Sequence, residues 1–209
     1  MTAGTIVWVS RAMMDSTLVK PFHGDLYFAD QGLAADAITR TERGEPLPRD
    51  HYPQEIYAIY PNKRMGRQPD IFSAGGVWVV SAAFTDVLRR FQLGRTVLHP
   101  TRLFQYDRKT PVEGDYFCLG FGETKDVFLP QDSPRATKPY SKRDLWKLSV
   151  NPKDDDLAVR VTALEDADLW MDPKVWKAFF LSDRLVQALK SAKLTRRLGL
   201  RRCRVAEKN

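Results

Sequence analysis

Apolar and polar residues along this chain follow two rhythms, one near two residues and one near 3.6, and the switch from the first to the second occurs twice in the same way. The run Trp78-Val79-Val80-Ser81 is followed by Phe84, Leu88, Leu93 and Val97. A second run, Phe179-Phe180-Leu181-Ser182, lies 101 positions on and is followed by Leu185, Leu189, Leu194 and Leu198. Each copy predicts a buried strand, a serine N-cap and an amphipathic helix, because a serine hydroxyl can accept from an unpaired N–H of a helix's first turn. Spacing alone does not establish a duplication, since unrelated helices share caps and apolar periods.

Other segments fill in a mixed pattern. Residues 5–10 (Ile6, Val7, Trp8, Val9) predict a strand, and Asp30 predicts the cap of a short helix with Leu33, Ala34, Ala37 and Ile38 inward. Asp25-Leu26-Tyr27-Phe28 and residues 55–60 read as strands, separated by the proline-rich Glu45-Pro46-Leu47-Pro48. After a helix over 82–93, residues 103–106, 116–119 and 126–129 predict an antiparallel meander. Residues 130–143 form the clearest loop, a lobe boundary or a binding loop by its length. Strands follow at 145–148 and 157–161, with Asp154-Asp155-Asp156 between them, and Asp172-Pro173 predicts a helix start ahead of Trp176. The expected fold is α+β: a mostly antiparallel sheet with two Ser-capped amphipathic helices in loosely repeated halves. Residues 1–68 are expected to be part of the same globular unit as 69–209.

Composition permits a real core: 209 residues, 43% hydrophobic and 11% aromatic. No apolar run approaches the roughly 18 residues that span a bilayer, and the first fifteen residues lack a secretion signal, so the expectation is a cytoplasmic protein without a membrane segment. Cys118 and Cys203, the only cysteines, sit in apolar strand-like contexts and are expected as reduced, buried thiols.

Charge changes this picture at one end only. Residues 1–189 hold 25 Lys and Arg against 25 Asp and Glu, while residues 190–209 hold eight against Glu207 alone, which accounts for the net +7. Arg196, Arg197, Arg201 and Arg202 therefore nominate a nucleic-acid-binding arm, since clustered cations gain affinity by releasing phosphate counterions. The competing and favoured reading is a helix C-terminus that prefers cations, followed by an edge strand kept from pairing by charge. Leu194, Leu198, Leu200 and Val205 keep an apolar beat there, and no aromatic is interleaved for base stacking.

Candidate chemistry is sparse. His23, His51 and His99 are isolated, without the spacing that holds zinc. Ser73 lacks the flanking glycines of a nucleophile elbow, and Gly75-Gly76 predicts a turn. Gly120-Phe121-Gly122-Glu123-Thr124-Lys125 lacks the ending of a phosphate loop. Asp154, Asp155 and Asp156 lack the alternation of a calcium loop. Glu165, Asp166, Asp168 and Asp172 could supply an acid/base pair, but helix starts attract carboxylates for dipole reasons alone. Trp170 and Trp176 read as core anchors. No catalytic residue, cofactor or metal is expected.

Pro69-Asp70-Ile71-Phe72, Gly76-Val77-Trp78-Val79-Val80-Ser81, Phe84 and Leu88 resemble the middle of the Myxococcus-type immunity protein family of bacterial polymorphic toxin systems. Gly114-Asp115-Tyr116-Phe117 is similar to that family's aromatic strand after the first helix. Asp168-Leu169-Trp170, Asp172-Pro173, Phe179 to Leu185 and Arg202-Cys203-Arg204-Val205 resemble its C-terminal half, so the resemblance covers about residues 69–206. It implies a non-enzymatic immunity protein that neutralises a cognate protein toxin, encoded nearby, by occluding its active site or substrate path. Candidate partner anchors are Tyr52, Arg64, Arg67, Arg135 and Tyr140, where aromatic or cationic side chains meet loops. The alternatives are the nucleic-acid-binding accessory protein and an enzyme whose scattered site spacing does not expose.

Overall fold

A computed structural model describes residues 6–206. In chain order the strands and helices are β1 (Val7–Ser10), β2 (Val19–Lys20), β3 (Phe22–Gly24), α1 (Asp25–Ala29), α2 (Gln31–Thr41), β4 (Glu55–Ala58), β5 (Ile71–Ala74), β6 (Val77–Ser81), α3 (Ala82–Leu88), β7 (Val97–Phe104), β8 (Tyr116–Gly120), β9 (Ala158–Arg160), β10 (Leu169–Trp170), β11 (Phe179–Ser182), α4 (Asp183–Ser191) and β12 (Arg201–Ala206). The protein is mixed α and β, with one helix-bearing sheet in each of two compact units. The seven-stranded unit comprises Asp15–Arg90 and Arg95–Gly122. The five-stranded unit comprises the chain up to Met14, Phe91–Gly94 and the chain from Glu123 onward. The division after Gly122 falls ahead of the 130–143 loop, which lies inside the five-stranded unit.

In the seven-stranded unit the order is β2-β5-β6-β8-β7-β4-β3. Antiparallel hairpins join β5 to β6 and β7 to β8, and the parallel pairs β2 with β5 and β4 with β7 make the sheet mixed. Gly75 and Gly76 form the β5–β6 turn with φ of +58° and +94°, a backbone that only glycine adopts without a steric penalty. One face carries a core of Phe22, Ile56, Phe72, Val79, Leu103 and Cys118. Asp30 caps α2, its carboxylate accepting from Leu33 N–H at 2.9 Å, as the sequence predicts.

In the five-stranded unit the order is β10-β11-β1-β12-β9. Its topology repeats that of β5-β6-β8-β7-β4 strand for strand: the first four are antiparallel neighbours in both, and the fifth pairs in parallel in both. One element differs in origin. The place that β8 takes directly after β7 is filled by β1, from the start of the chain. Val7 and Val9 are buried there, between β11 and β12.

The match extends to side chains. Asp70 and Ser81 are joined as Asp168 and Ser182 are: the serine N–H donates to the aspartate carbonyl, at 3.0 and 2.9 Å, and the hydroxyl donates to the carboxylate, at 2.8 and 2.5 Å. Each serine oxygen also accepts from the third residue on, Phe84 or Leu185, at 3.3 Å, capping α3 and α4. Eight residues after each serine a cation lies over the central strand's aromatic ring, Arg89 on Phe117 at 4.9 Å and Lys190 on Trp8 at 4.3 Å.

Several expectations need correction. Asp25-Leu26-Tyr27-Phe28 is helical, starting from Gly24. The first Ser-capped helix ends at Leu88. Residues 126–129 and 145–148 make only isolated bridges, and no helix follows Asp172-Pro173. Instead the Asp172 carboxylate accepts from Val127, Phe128 and Lys174 N–H groups at 2.8 to 2.9 Å, a better use of a buried charge than capping one helix turn. β12 is an interior strand rather than an edge, because β9 and β1 flank it.

Candidate interaction surface

In the seven-stranded unit, the outer three strands expose the face opposite the core. Period-two alternation sends Ile56, Ala58, Leu103 and Phe22 inward, and sends Glu55, Tyr57, Arg102, Phe104 and His23 outward. Register aligns His23 with Tyr57 and Tyr57 with Phe104, and sets Glu55 against Arg102. The Tyr57 and Phe104 rings lie 6.0 Å apart.

Helix α1 adds two rings to this row. Asp25 fastens its start to β4, accepting from Leu26, Gln54 and Glu55 N–H groups at 2.7, 3.2 and 3.1 Å. Tyr27 then stacks on His23 at 4.1 Å, and Phe28, 47% exposed, meets Tyr57 at 6.1 Å.

A turn after β7 supplies the cation. The Asp107 carboxylate accepts from Lys109 N–H, Thr110 N–H and the Thr110 hydroxyl at 3.0, 2.9 and 2.6 Å, and these bonds lower its pKa to about 2. The same turn holds Arg108 at φ +58°, a left-handed conformation disfavoured for a residue with a Cβ. Its guanidinium lies 4.3 Å from the Phe28 ring centre and 4.9 Å from that of Tyr57. Arg108 has no ion pair among the described residues. Arg102, by contrast, pairs with Glu55, which also accepts from the Tyr57 hydroxyl; that bond raises the Tyr57 pKa to about 12. Arg102 further lines a neighbouring cleft of about 520 Å³ with Arg49, Gln54, Pro100, Asp115 and Phe117.

The five-stranded unit shows that the fold does not need these rings. Superimposing Ser81 on Ser182 through the strand registers puts Arg160 where Tyr57 stands, Ala206 where Phe104 stands and Arg204 where Arg102 stands. What both units keep, the Asp–Ser pair and the stacked cation, is structural. The aromatic row belongs to one unit alone.

Of the anchors nominated from sequence, Tyr52 is excluded, being 4% exposed with its hydroxyl against Gly120. Arg64 and Arg67 are exposed in the seven-stranded unit. Arg135, 3.5 Å from Asp156, and Tyr140, under Arg143, are exposed in the five-stranded unit. Arg201 donates to the carbonyls of Pro152 and Leu200 at 2.6 and 2.8 Å, and Arg202 forks onto Asp155 at 3.2 and 2.7 Å. Arg196 and Arg197 are exposed and unpaired among the described residues.

The acidic residues do not converge on a proton-transfer pair. Asp168, 1% exposed, lines a cleft of about 400 Å³ with Ser182, Asp183 and Arg184, but its oxygens are taken by Ser182, Arg184 and Gln92 N–H. Burial raises the Asp172 pKa against its backbone donors. The histidines stay apart: His23 in the aromatic row, His51 beside Asp50, His99 against Tyr52. Among the described residues no group of three or more His, Cys, Asp or Glu is placed to hold a metal ion.

Sequence reasoning missed His23, Tyr27, Phe28, Phe104 and Arg108. The available signal was outward-phase aromatics on 55–60 and 103–106, but their alignment depends on strand pairing. No protein-family model matches the chain, and no curated protein matches it.

Proposed function

We propose that the protein is a protein-binding module, in its specific form an immunity protein that neutralises a cognate toxin encoded nearby by covering its active site or substrate path. The carrying observation is the row His23, Tyr27, Phe28, Tyr57 and Phe104 with Arg108, which is partly exposed on one sheet face and is absent from the topologically equivalent face. Buried aromatic and arginine anchors supply most of the energy of protein interfaces. The resemblance of residues 69–206 to the immunity family supplies the biological direction. An enzyme is the less supported reading, because the carboxylates that could have transferred protons are bound to backbone and arginine groups.

The test is co-expression with the toxic domain of the neighbouring reading frame, followed by pull-down. Rescue of growth, lost when Phe28 and Tyr57 are both replaced by alanine in a chain that still folds, is the expected result. Failure of the intact chain to rescue or to bind overturns the immunity reading.

A second reading keeps the basic end of the chain as a nucleic-acid contact, favoured by the unpaired Arg196 and Arg197 and by the charge of the five-stranded unit, 20 Lys and Arg against 13 Asp and Glu. It requires binding that weakens steeply with salt and is lost when both arginines are neutralised.

A further inference from the structure

We infer that Arg108 is a carboxylate receptor, so that the partner of the aromatic face inserts an Asp or Glu side chain there. The inference rests on reading that face as a protein-binding surface. Three observations converge on it.

First, Arg108 is the uncompensated cation of the row. Arg102 has Glu55 and Glu55 has the Tyr57 hydroxyl, whereas Arg108 lies over two rings and has no ion pair among the described residues. Its side-chain N–H groups have no hydrogen-bond partner or carboxylate among the described residues, which leaves them for a two-bonded carboxylate.

Second, the chain holds this side chain in place at a cost. Arg108 has a positive φ that glycine would adopt more easily, and Asp107 locks the turn with three bonds. Strained backbone that persists under such constraint concentrates at binding sites.

Third, the surroundings favour a carboxylate on a protein over a nucleic-acid phosphate. Arg108 lies over Phe28 and Tyr57, Arg102 lies over Phe104 and Tyr27 stacks on His23, so a base stacking on the row competes with a cation or ring already there. The seven-stranded unit has 13 Lys and Arg against 13 Asp and Glu, and so gives a polyanion no general attraction.

The test uses the full chain with ¹⁵N-labelled arginine side chains. The probe is a capped hexapeptide with a central Asp-Glu pair, compared with the same peptide carrying Asn-Gln. The Asp-Glu peptide should move the Arg108 Nε–H resonance saturably in the millimolar range, and the Asn-Gln peptide should not. Arg108→Gly, which suits the turn and so folds, should weaken binding by about tenfold or more, the size of one hot-spot truncation. Arg108→Lys should also weaken it, because an ammonium lacks the planar fork. Equal binding of the two peptides, a response confined to Arg196 and Arg197, unchanged binding by both variants, or tighter capture of a single-stranded oligonucleotide at Arg108 each overturns the inference. These outcomes do not depend on toxin rescue, so a failure here is separable from a failure of the immunity reading.

Discussion

Asp168 and Ser182 face each other across β10 and β11 and are joined twice, by Ser182 N–H to the Asp168 carbonyl at 2.9 Å and by the hydroxyl to the carboxylate at 2.5 Å. The serine therefore donates its proton to one strand while its oxygen caps the helix leaving the other. Asp70 and Ser81 repeat the device, but with a less buried carboxylate and without an arginine.

Ser81→Ala and Ser182→Ala should each cost about 1 kcal/mol, the usual value of an N-cap. Asp168→Ala should cost about 2 kcal/mol or more, since bonds from Arg184 and Gln92 N–H are lost with it. Urea unfolding of the variants measures this, and an Asp168→Ala cost no greater than that of Asp70→Ala would contradict the account.

Arg108→Gly should stabilise the protein by about 1 kcal/mol, because glycine relieves the left-handed backbone while only two ring contacts are lost. Thermal melts decide it. A clear fall in Tm would mean the stacked guanidinium outweighs the backbone term.

Tyr57 should ionise late. Its hydroxyl donates to Glu55, so its folded pKa, about 12, lies above the ordinary phenol value near 10. The hydrogen bond therefore stabilises the fold fully below about pH 10, and that stabilisation disappears as pH rises toward 12. Tyrosinate absorbance near 295 nm, compared between the parent and Tyr57→Phe, should show the missing transition at the alkaline end. A difference centred near pH 10 would rule out the bond.

Both thiols should be silent in the native protein. Cys118 and Cys203 are buried and unbridged, and burial raises both pKa values, that of Cys118 to about 12. A thiol reagent at neutral pH should label neither until denaturant is added, and then both. Rapid native labelling of Cys203 would show that β12 opens.

The five-stranded unit should depend on β1. Deleting residues 1–10 strips partners from β11 and β12, and hydrogen exchange should then accelerate in those strands while β5 to β8 stay protected. A circular permutant beginning at Asp15, with Asn209 joined to Met1 through two glycines, restores the β7–β8 arrangement. Residues 207–209 and 1–6 plus that linker equal the length of the 105–115 connection. The permutant should fold with a Tm within a few degrees of the parent's, and collapse of the permutant would sink the equivalence of the two sheets.

Legibility in the sequence followed the range of the interactions. The caps at Asp30, Ser81 and Ser182, the glycine turn and the strands expected at 55–60 and 116–119, which run over 55–58 and 116–120, were readable because each is settled by residues within a few positions. Tyr27 and Phe28 misled, since a five-residue helix has too few positions to declare its period. The basic end misled in another way: its charge suggested an edge, yet Arg201 donates to the carbonyl of Pro152 and Arg202 pairs with Asp155, both some 50 residues earlier.

The sequence by itself determined the α+β class, the two capped helices and the echo between them, because propensity, capping and apolar period act locally. Tertiary structure alone decided that β1 completes a sheet whose other strands begin at Ala158, that β12 is interior, and that His23, Tyr57 and Phe104 share a row beneath Arg108. Pairing between distant strands is chosen by which register buries the most apolar surface, and no local pattern carries that information.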